Sequence, residues 1–440
     1  MKDMTIQEKI SLISPNKSVA HNTCDCHTAG VGSKGLGPYM WLDETNTAAS
    51  SQCLAPGHCV TTFSGPLGIG ASFNRTLWRL KGGVIGSEVR ALNNIGWNRD
   101  AGGTTTEKIG LTGYGPDINN PRDPRNGRFS ELPGEDPYMA GEYAAEMLLG
   151  MQEEDQHGHP KMIAFVKHFT AYSQESGRDY DTFNISDFDL YDSYLRQYQV
   201  ALSKGRASGL MCSYNGENGK PSCANGALLN DIVRNKWNMT DTLISTDCGA
   251  VANLRHYPAS APDDASAAAW AINNGTDLEM GSSLFLNSLE NATLRGLTDE
   301  ATVTRAVRRA LLPLFRAGLY DDLSTNGWAH LNADDIASPE HLRIRDEAAA
   351  QSVVLLRNGA KLLPLKKGSH IAVIGPQSTG TGLFSDYFGD DACWSEHPHY
   401  QSNTSCATTI AGAISVANVG GGHHKCHRSR YELAECLSNP

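Results

Sequence analysis

No apolar run in the 440-residue sequence approaches the roughly 18 to 20 residues that a membrane-spanning helix needs, so no membrane span is expected. Basic residues are in deficit: 37 Lys and Arg stand against 48 Asp and Glu, a formal charge of −11. Phosphate binding needs clustered cations, so nucleic acid is not expected as a partner. Met1 to Ser18 are charged and polar and hold no apolar signal-peptide core. Glycine-rich phosphate loops are missing as well. Pieces such as Gly68-Ile69-Gly70 lack the further glycine and acidic residue of a dinucleotide site, so no nucleotide cofactor is expected.

What is present is a chain that is 40% hydrophobic, enough for one large barrel with a partner domain. Asn-X-Ser/Thr triplets begin at Asn16, Asn74, Asn184, Asn238, Asn274, Asn291 and Asn403. The 11 cysteines fall partly in near pairs: Cys24/Cys26, Cys53/Cys59, Cys212/Cys223 and Cys393/Cys406. Local pairs and sequons point to a secreted, extracellular glycoprotein, although no signal peptide stands in this chain. The alternative is a cytosolic enzyme with scattered thiols. The odd count predicts at least one free thiol.

Short apolar runs alternate with amphipathic stretches. Met162–Val166, Ser208–Met211, Thr242–Ser245 and Asp277–Met280 read as strands. Thr76–Asn93, Pro137–Met151, Asp187–Lys204, Ala227–Trp237, Asp263–Asn274 and Glu300–Ala317 read as helices. Alternation of this kind implies βαβ units and a parallel sheet. The spacing suits an α/β protein built on a (β/α)8 TIM-type barrel over residues 1–320, with a doubly wound sheet as the alternative. Residues 321–345 are polar and read as a linker. A second region follows over 346–420, with a helix at Ala348–Leu356 and a buried strand at Ile371–Ile374. Residues 421–440 are poor in apolar residues and are expected to be disordered. Their cluster His423, His424, Cys426 and His427 is not in a recognised finger spacing, so no metal is expected.

In a parallel barrel, side chains at the carboxyl ends of strands converge on one mouth. Asp117, Lys167, His168, Asp247 and Glu279 all stand at such places. Each has a plainer reading. An Asp after a strand is often a helix cap or turn residue. Arg122, Arg125 and Arg128 fit a structural loop pinned by Asp123. Joint occurrence at successive strand ends favours a site.

The segments Tyr39-Met40-Trp41-Leu42-Asp43-Glu44, Gly115-Pro116-Asp117-Ile118-Asn119-Asn120-Pro121-Arg122-Asp123-Pro124-Arg125, Gly127-Arg128, Val166-Lys167-His168-Phe169, Met211-Cys212-Ser213-Tyr214-Asn215-Gly216 and Asp247-Cys248-Gly249 follow one another in this order. In that order the chain resembles glycoside hydrolase family 3, in its β-xylosidase branch. The resemblance implies a retaining mechanism through a covalent glycosyl-enzyme, acting from non-reducing ends on an oligosaccharide or aryl glycoside. By motif, Asp247 matches the nucleophile. Arg128, Lys167 and His168 match residues that hold sugar hydroxyls, and Glu44 matches one that binds a distal hydroxyl. Met211, Tyr214 and Glu279 are expected to wall the subsite, with Glu175 behind them. Lys167 and Arg128 are expected to favour the ionised nucleophile. Glucosides and arabinosides are the alternative substrates of the same chemistry.

A retaining mechanism needs a second carboxyl group as acid and base. In this family it comes from the second α/β domain, a sandwich. Here the resemblance stops near Val419-Gly420, so that domain is expected to be truncated. No residue matches the acid/base, and a catalytically impaired sugar-binding barrel is the rival reading.

Overall fold

The computed structural model describes residues 1–16, 26–49, 53–55, 58–96, 109–256, 258–380, 408–418 and 423–426. Its centre is a four-stranded parallel sheet of Thr112–Asp117, Ile163–Phe169, Gly209–Cys212 and Leu243–Thr246, in that spatial order. These strands are buried throughout, as apolar runs covered on both faces must be. Single parallel bridges extend the sheet at both edges, Glu44 beside Tyr114 and Leu278 beside Ser245.

The edges meet, and the sheet closes into a ring. Glu279 donates its backbone N–H to Ile13 at 2.9 Å. Pro15 bridges Thr28 in antiparallel sense, and His27–Thr28 pair antiparallel with Tyr39–Met40. The same stretch then reaches Asp43, whose carbonyl accepts the Tyr114 N–H at 2.7 Å. The expected eight βα repeats are therefore not what closes the ring. One strand, His27–Thr28, runs against its neighbours, and among the described residues only a 3-10 turn, Gly32–Lys34, separates it from Tyr39–Met40.

Helices cover the outside close to where their periodicity predicts. Arg75–Asn94, Pro137–Met151, Asp264–Asn273 and Glu300–Arg316 match their expected spans within a residue or two. Asp187–Lys204 divides into a helical turn, a π segment Leu190–Tyr194 and the helix Arg196–Ser203, and Ala227–Lys236 is wholly π-type. Arg75–Asn94 and Pro137–Met151 approach closely because glycine leaves room: a β-carbon on Gly82 would lie 2.0 Å from the Met147 carbonyl oxygen. Trp78 and Tyr143 meet edge to face across the same contact. Two apolar clusters pack the sheet against its helices, and the second joins Tyr114, stacked on Phe165, to buried residues of Asp264–Asn273, Leu284–Leu294 and Glu300–Arg316.

Residues 321–345, expected as a linker, lie against the barrel: the Trp328 indole donates to the His159 carbonyl at 2.8 Å. The next helix runs Pro339–Gln351, not Ala348–Leu356. Its His341 meets Glu88 at 2.8 Å, and Ile344 and Ala348 join the core. Val353–Leu356 are outside the helix and exposed. Ile371–Ile374 is a strand as expected, but alternate residues are exposed rather than buried. It pairs in parallel with His423–Cys426, which the sequence placed in the tail. The rest of that tail, and Cys24, Cys393, Cys406 and Asn403, lie outside the described residues.

Candidate active site

Asp247 follows the strand Leu243–Thr246 directly. Its N–H donates to the Cys212 carbonyl at 3.1 Å, and its Oδ1 accepts the Cys248 N–H at 2.7 Å. Its Oδ2 is shielded from solvent and has no hydrogen-bond partner among the described residues. Gly281 holds this loop from the next ring segment. It has φ +74°, and a β-carbon there would lie 2.5 Å from the Cys248 Cα. The neighbouring Met280 carbonyl accepts the Gly249 N–H at 2.8 Å.

Lys167 and His168 come from the end of Ile163–Phe169, where the register shifts between Val166 and Phe169 and both the Lys167–His168 and Phe169–Thr170 peptides are cis. Lys167 donates to both Glu44 oxygens, at 2.8 and 2.6 Å. His168 Nδ1 lies 3.2 Å from Asp117 Oδ2 and 3.1 Å from Asn119 Oδ1. Its Nε2 lies 3.6 Å from Asp247 Oδ2. Burial, reinforced by the positive charges of Arg128 and Lys167, drives the His168 pKa well below its usual value despite the Asp247 carboxylate. Burial also raises Asp117 to about 6, against the pull of Arg128 and Lys167.

Arg128 donates from Nε and a terminal nitrogen to Glu131, at 2.6 and 2.9 Å, a two-point geometry that aims the guanidinium. It stacks over Tyr172, 5.5 Å from the ring centroid. The Tyr172 hydroxyl donates to Glu175, and Arg178 donates to the other Glu175 oxygen at 2.7 Å. Arg178 lies over the Tyr214 ring at 4.5 Å, and the Tyr214 hydroxyl donates to the Cys248 carbonyl at 3.0 Å. Burial first, and the Asp247 carboxylate next, push the Tyr214 phenol up. Asp117, Asn119, Asn126, Arg128, Leu132, Tyr172 and Glu175 line a cleft.

Most of the residues chosen from the sequence thus meet: Glu44, Lys167, His168, Asp247, Tyr214, Arg128 and Glu175 form one connected set. Two stand apart from this set. Glu279 accepts from the hydroxyls of Ser14 (2.7 Å) and Ser282, and from the N–H groups of Leu284 (2.8 Å) and Phe285 (2.7 Å). It fastens the start of the helix Leu284–Leu294 and offers no free oxygen to a cleft. Met211 is buried in the apolar cluster that holds Tyr114 and Phe165. Lys167 and Arg128 are each salt-bridged to a carboxylate, Glu44 and Glu131 respectively.

Sequence reasoning gave no part to Asn119, Glu131 or Tyr172, and none to Asp117 beyond its strand-end position. The i,i+3 spacing of Arg128 and Glu131 and the two-residue step from Asp117 to Asn119 were the available signals. Cys212 and Cys223 form the expected disulfide, which ties the strand end before Tyr214 to the turn beyond it. Cys26, Cys59 and Cys248 are disulfide-bonded too, and among the described residues no cysteine is free.

Chemically, the arrangement offers a carboxylate with one oxygen held by a backbone N–H and the other 3.6 Å from His168 Nε2, within a rim of paired charges. Such a group can attack an electron-poor carbon. The paired cations and anions around it can orient hydroxyl groups.

The chain matches a family model described as the glycosyl hydrolase family 3 N terminal domain over residues 57–312. It is 34% identical over 435 residues to a protein named beta-D-xylosidase 1 of Arabidopsis thaliana, covering 95% of this chain and 52% of that protein. It is 35% identical over 400 residues to beta-xylosidase/alpha-L-arabinofuranosidase 1 of Medicago sativa subsp. varia, covering 87% and 48%. Among solved structures, a GH3 exo-beta-xylosidase in complex with a xylobiose aziridine activity-based probe superposes with a TM-score of 0.82 at 27% identity. That match covers 99% of this chain and 53% of the other. The chain spans about half the length of the curated relatives it matches.

Proposed function

Because the chain belongs to glycosyl hydrolase family 3, we propose that it carries the nucleophile-bearing barrel of a retaining exo-β-glycosidase acting on β-xylosides at non-reducing ends. The observation that carries this reading is the Asp247 carboxylate: Oδ1 is anchored at 2.7 Å, and Oδ2, shielded from solvent, accepts no hydrogen bond among the described residues and faces His168 Nε2 at 3.6 Å. A polar atom left unpaired in a buried site is costly, and substrate contact is a physical reason to tolerate it. Asp247 Oδ2 attacks the anomeric carbon as the glycosidic bond breaks, and water later releases the sugar. Arg128 (through Glu131), Lys167 with Glu44, and His168 orient the hydroxyls, while Tyr214 and Tyr172 border them. The choice of xylose rests on the names of the relatives. The (β/α)8-type barrel is followed, in this reading, by the start of an α/β sandwich from residue 346. The Cys212–Cys223 bond supports an oxidising, extracellular location and a role in xylan breakdown, with sequons such as Asn184 available for glycans.

A good aryl leaving group needs little acid help, so measurable turnover of activated aryl xylosides is the expected outcome. The decisive experiment is mass mapping after treatment with a fluorinated xyloside inactivator. The adduct is expected on Asp247, and an adduct on any other carboxylate, or none at all, overturns the assignment.

A further inference from the structure

The ring nitrogens of His168 do different jobs, and hydrogen-bond accounting tells which carries the proton. Asn119 is the reference. Its Oδ1 accepts the His168 backbone N–H at 2.9 Å, and its Nδ2 donates to the His168 backbone carbonyl at 2.7 Å. A backbone N–H can only donate and a carbonyl can only accept, so the Asn119 amide has one allowed orientation. The Tyr198 hydroxyl holds the same arrangement, accepting from Nδ2 at 3.0 Å and donating to the His168 carbonyl at 2.7 Å. All these groups are buried. His168 Nδ1 therefore faces a certain acceptor at 3.1 Å, with Asp117 Oδ2 as a second at 3.2 Å.

We propose that Asn119 is a positioning residue that holds His168 in its Nδ1–H form, so that Nε2 turns a lone pair toward Asp247. The 3.6 Å gap between Nε2 and Asp247 Oδ2 agrees with two acceptors facing each other without a shared proton. Burial of the ring disfavours the doubly protonated form that would close the gap.

This polarity selects the ligand. The group that enters beside the two acceptors must bring its own proton. Resting on Asp247 as the nucleophile, it is the hydroxyl vicinal to the anomeric carbon, donating to His168 Nε2. A fluorine at that carbon cannot donate, so a 2-fluoro sugar loses this contact while still able to label Asp247.

The test is a long-range 1H–15N spectrum of the full chain with 15N-histidine, with the His168 signals among the 15 histidines assigned by their loss in His168→Gln. At neutral pH, a pyrrole-type Nδ1 and a pyridine-type Nε2 are expected. Asn119→Ala made together with Asp117→Ala, which removes both acceptors facing Nδ1, is expected to bring in the Nε2–H form and to lower kcat/KM for an aryl xyloside on the order of 10²-fold. A merely structural Asn119 would change activity and leave the tautomer alone. Should the double variant not fold, Asn119→Asp keeps an acceptor against Nδ1 and is expected to keep Nδ1 protonated. An Nε2–H or doubly protonated His168 in the unsubstituted chain overturns the proposal, as does an unchanged tautomer when Asn119 and Asp117 are both replaced by Ala. The spectrum needs no turnover, so a failed Asp247 label and a wrong tautomer are separate results.

Discussion

Lys167 Nζ sits 2.8 and 2.6 Å from the two carboxylate oxygens of Glu44, across the seam between ring segments far apart in sequence. Lys167 is almost fully buried, and burial raises the Glu44 pKa even against that charge. Lys167→Met would leave the carboxylate without its cation. A loss of about 3 kcal/mol is expected, the low end for breaking a buried pair. Glu44→Gln in the same background should restore part of it. A double-mutant cycle by urea unfolding checks both, and additivity of the two changes would count against a coupled pair.

Glu279 gives a contrasting case. Its substitution should act on folding and leave ligand contacts alone. Glu279→Ala strips partners from two backbone N–H groups and from Ser14, a change expected to cost about 3 kcal/mol. Labelling of Asp247 in the folded fraction should proceed at an ordinary rate. A variant of full stability that binds inhibitor poorly would return Glu279 to the site.

Glu217 supplies a pH signature. It is buried beside Ser222 and Asn225, and burial lifts its pKa from 4.5 to about 8 although both neighbours oppose the shift. The folded state then holds a proton that the unfolded chain releases. Its contribution is fully present below pH 4.5 and is lost as pH rises through about 8. Unfolding free energy measured across that window should decline with pH, and Glu217→Gln should flatten the decline. An equal slope in both proteins would refute the buried proton.

The Cys212–Cys223 bond closes a short loop, with a sequence separation of 11. Loops of this size are worth about 3 kcal/mol of chain entropy. The paired change Cys212→Ala with Cys223→Ala should lower Tm accordingly. It should also loosen Tyr214, which lies inside the loop and touches the Cys248 carbonyl. Melting curves together with the rate of Asp247 labelling measure the two effects separately.

Periodicity revealed most of the helices, and apolar runs revealed three strands of the central sheet and Ile371–Ile374; Thr112–Asp117 was not read as a strand, and Asp277–Met280, which was, keeps only the bridge at Leu278. The reversed strand His27–Thr28 was illegible because two residues contain no period. Val353–Leu356 misled because an apolar run resembles a buried helix, whereas Ser338-Pro339 already marked the true start, with Ser338 accepting from His341 N–H. Asp247, Lys167 and His168 were visible as polar residues at strand ends. Glu131 was not, since its work is done through Arg128 and it ends no strand. Glu279 was over-read because a strand-end carboxylate can serve the next helix as readily as a ligand.

The reversal of His27–Thr28 has a result for anyone scanning this protein by substitution. Along the parallel strands, moving toward higher residue numbers means moving toward the mouth, and effects should shift from stability to ligand handling. On this one strand the direction of travel is inverted: Cys26 sits level with Trp41 and Thr28 with Tyr39. A map that assumes a uniform heading will read its near shore as its far one.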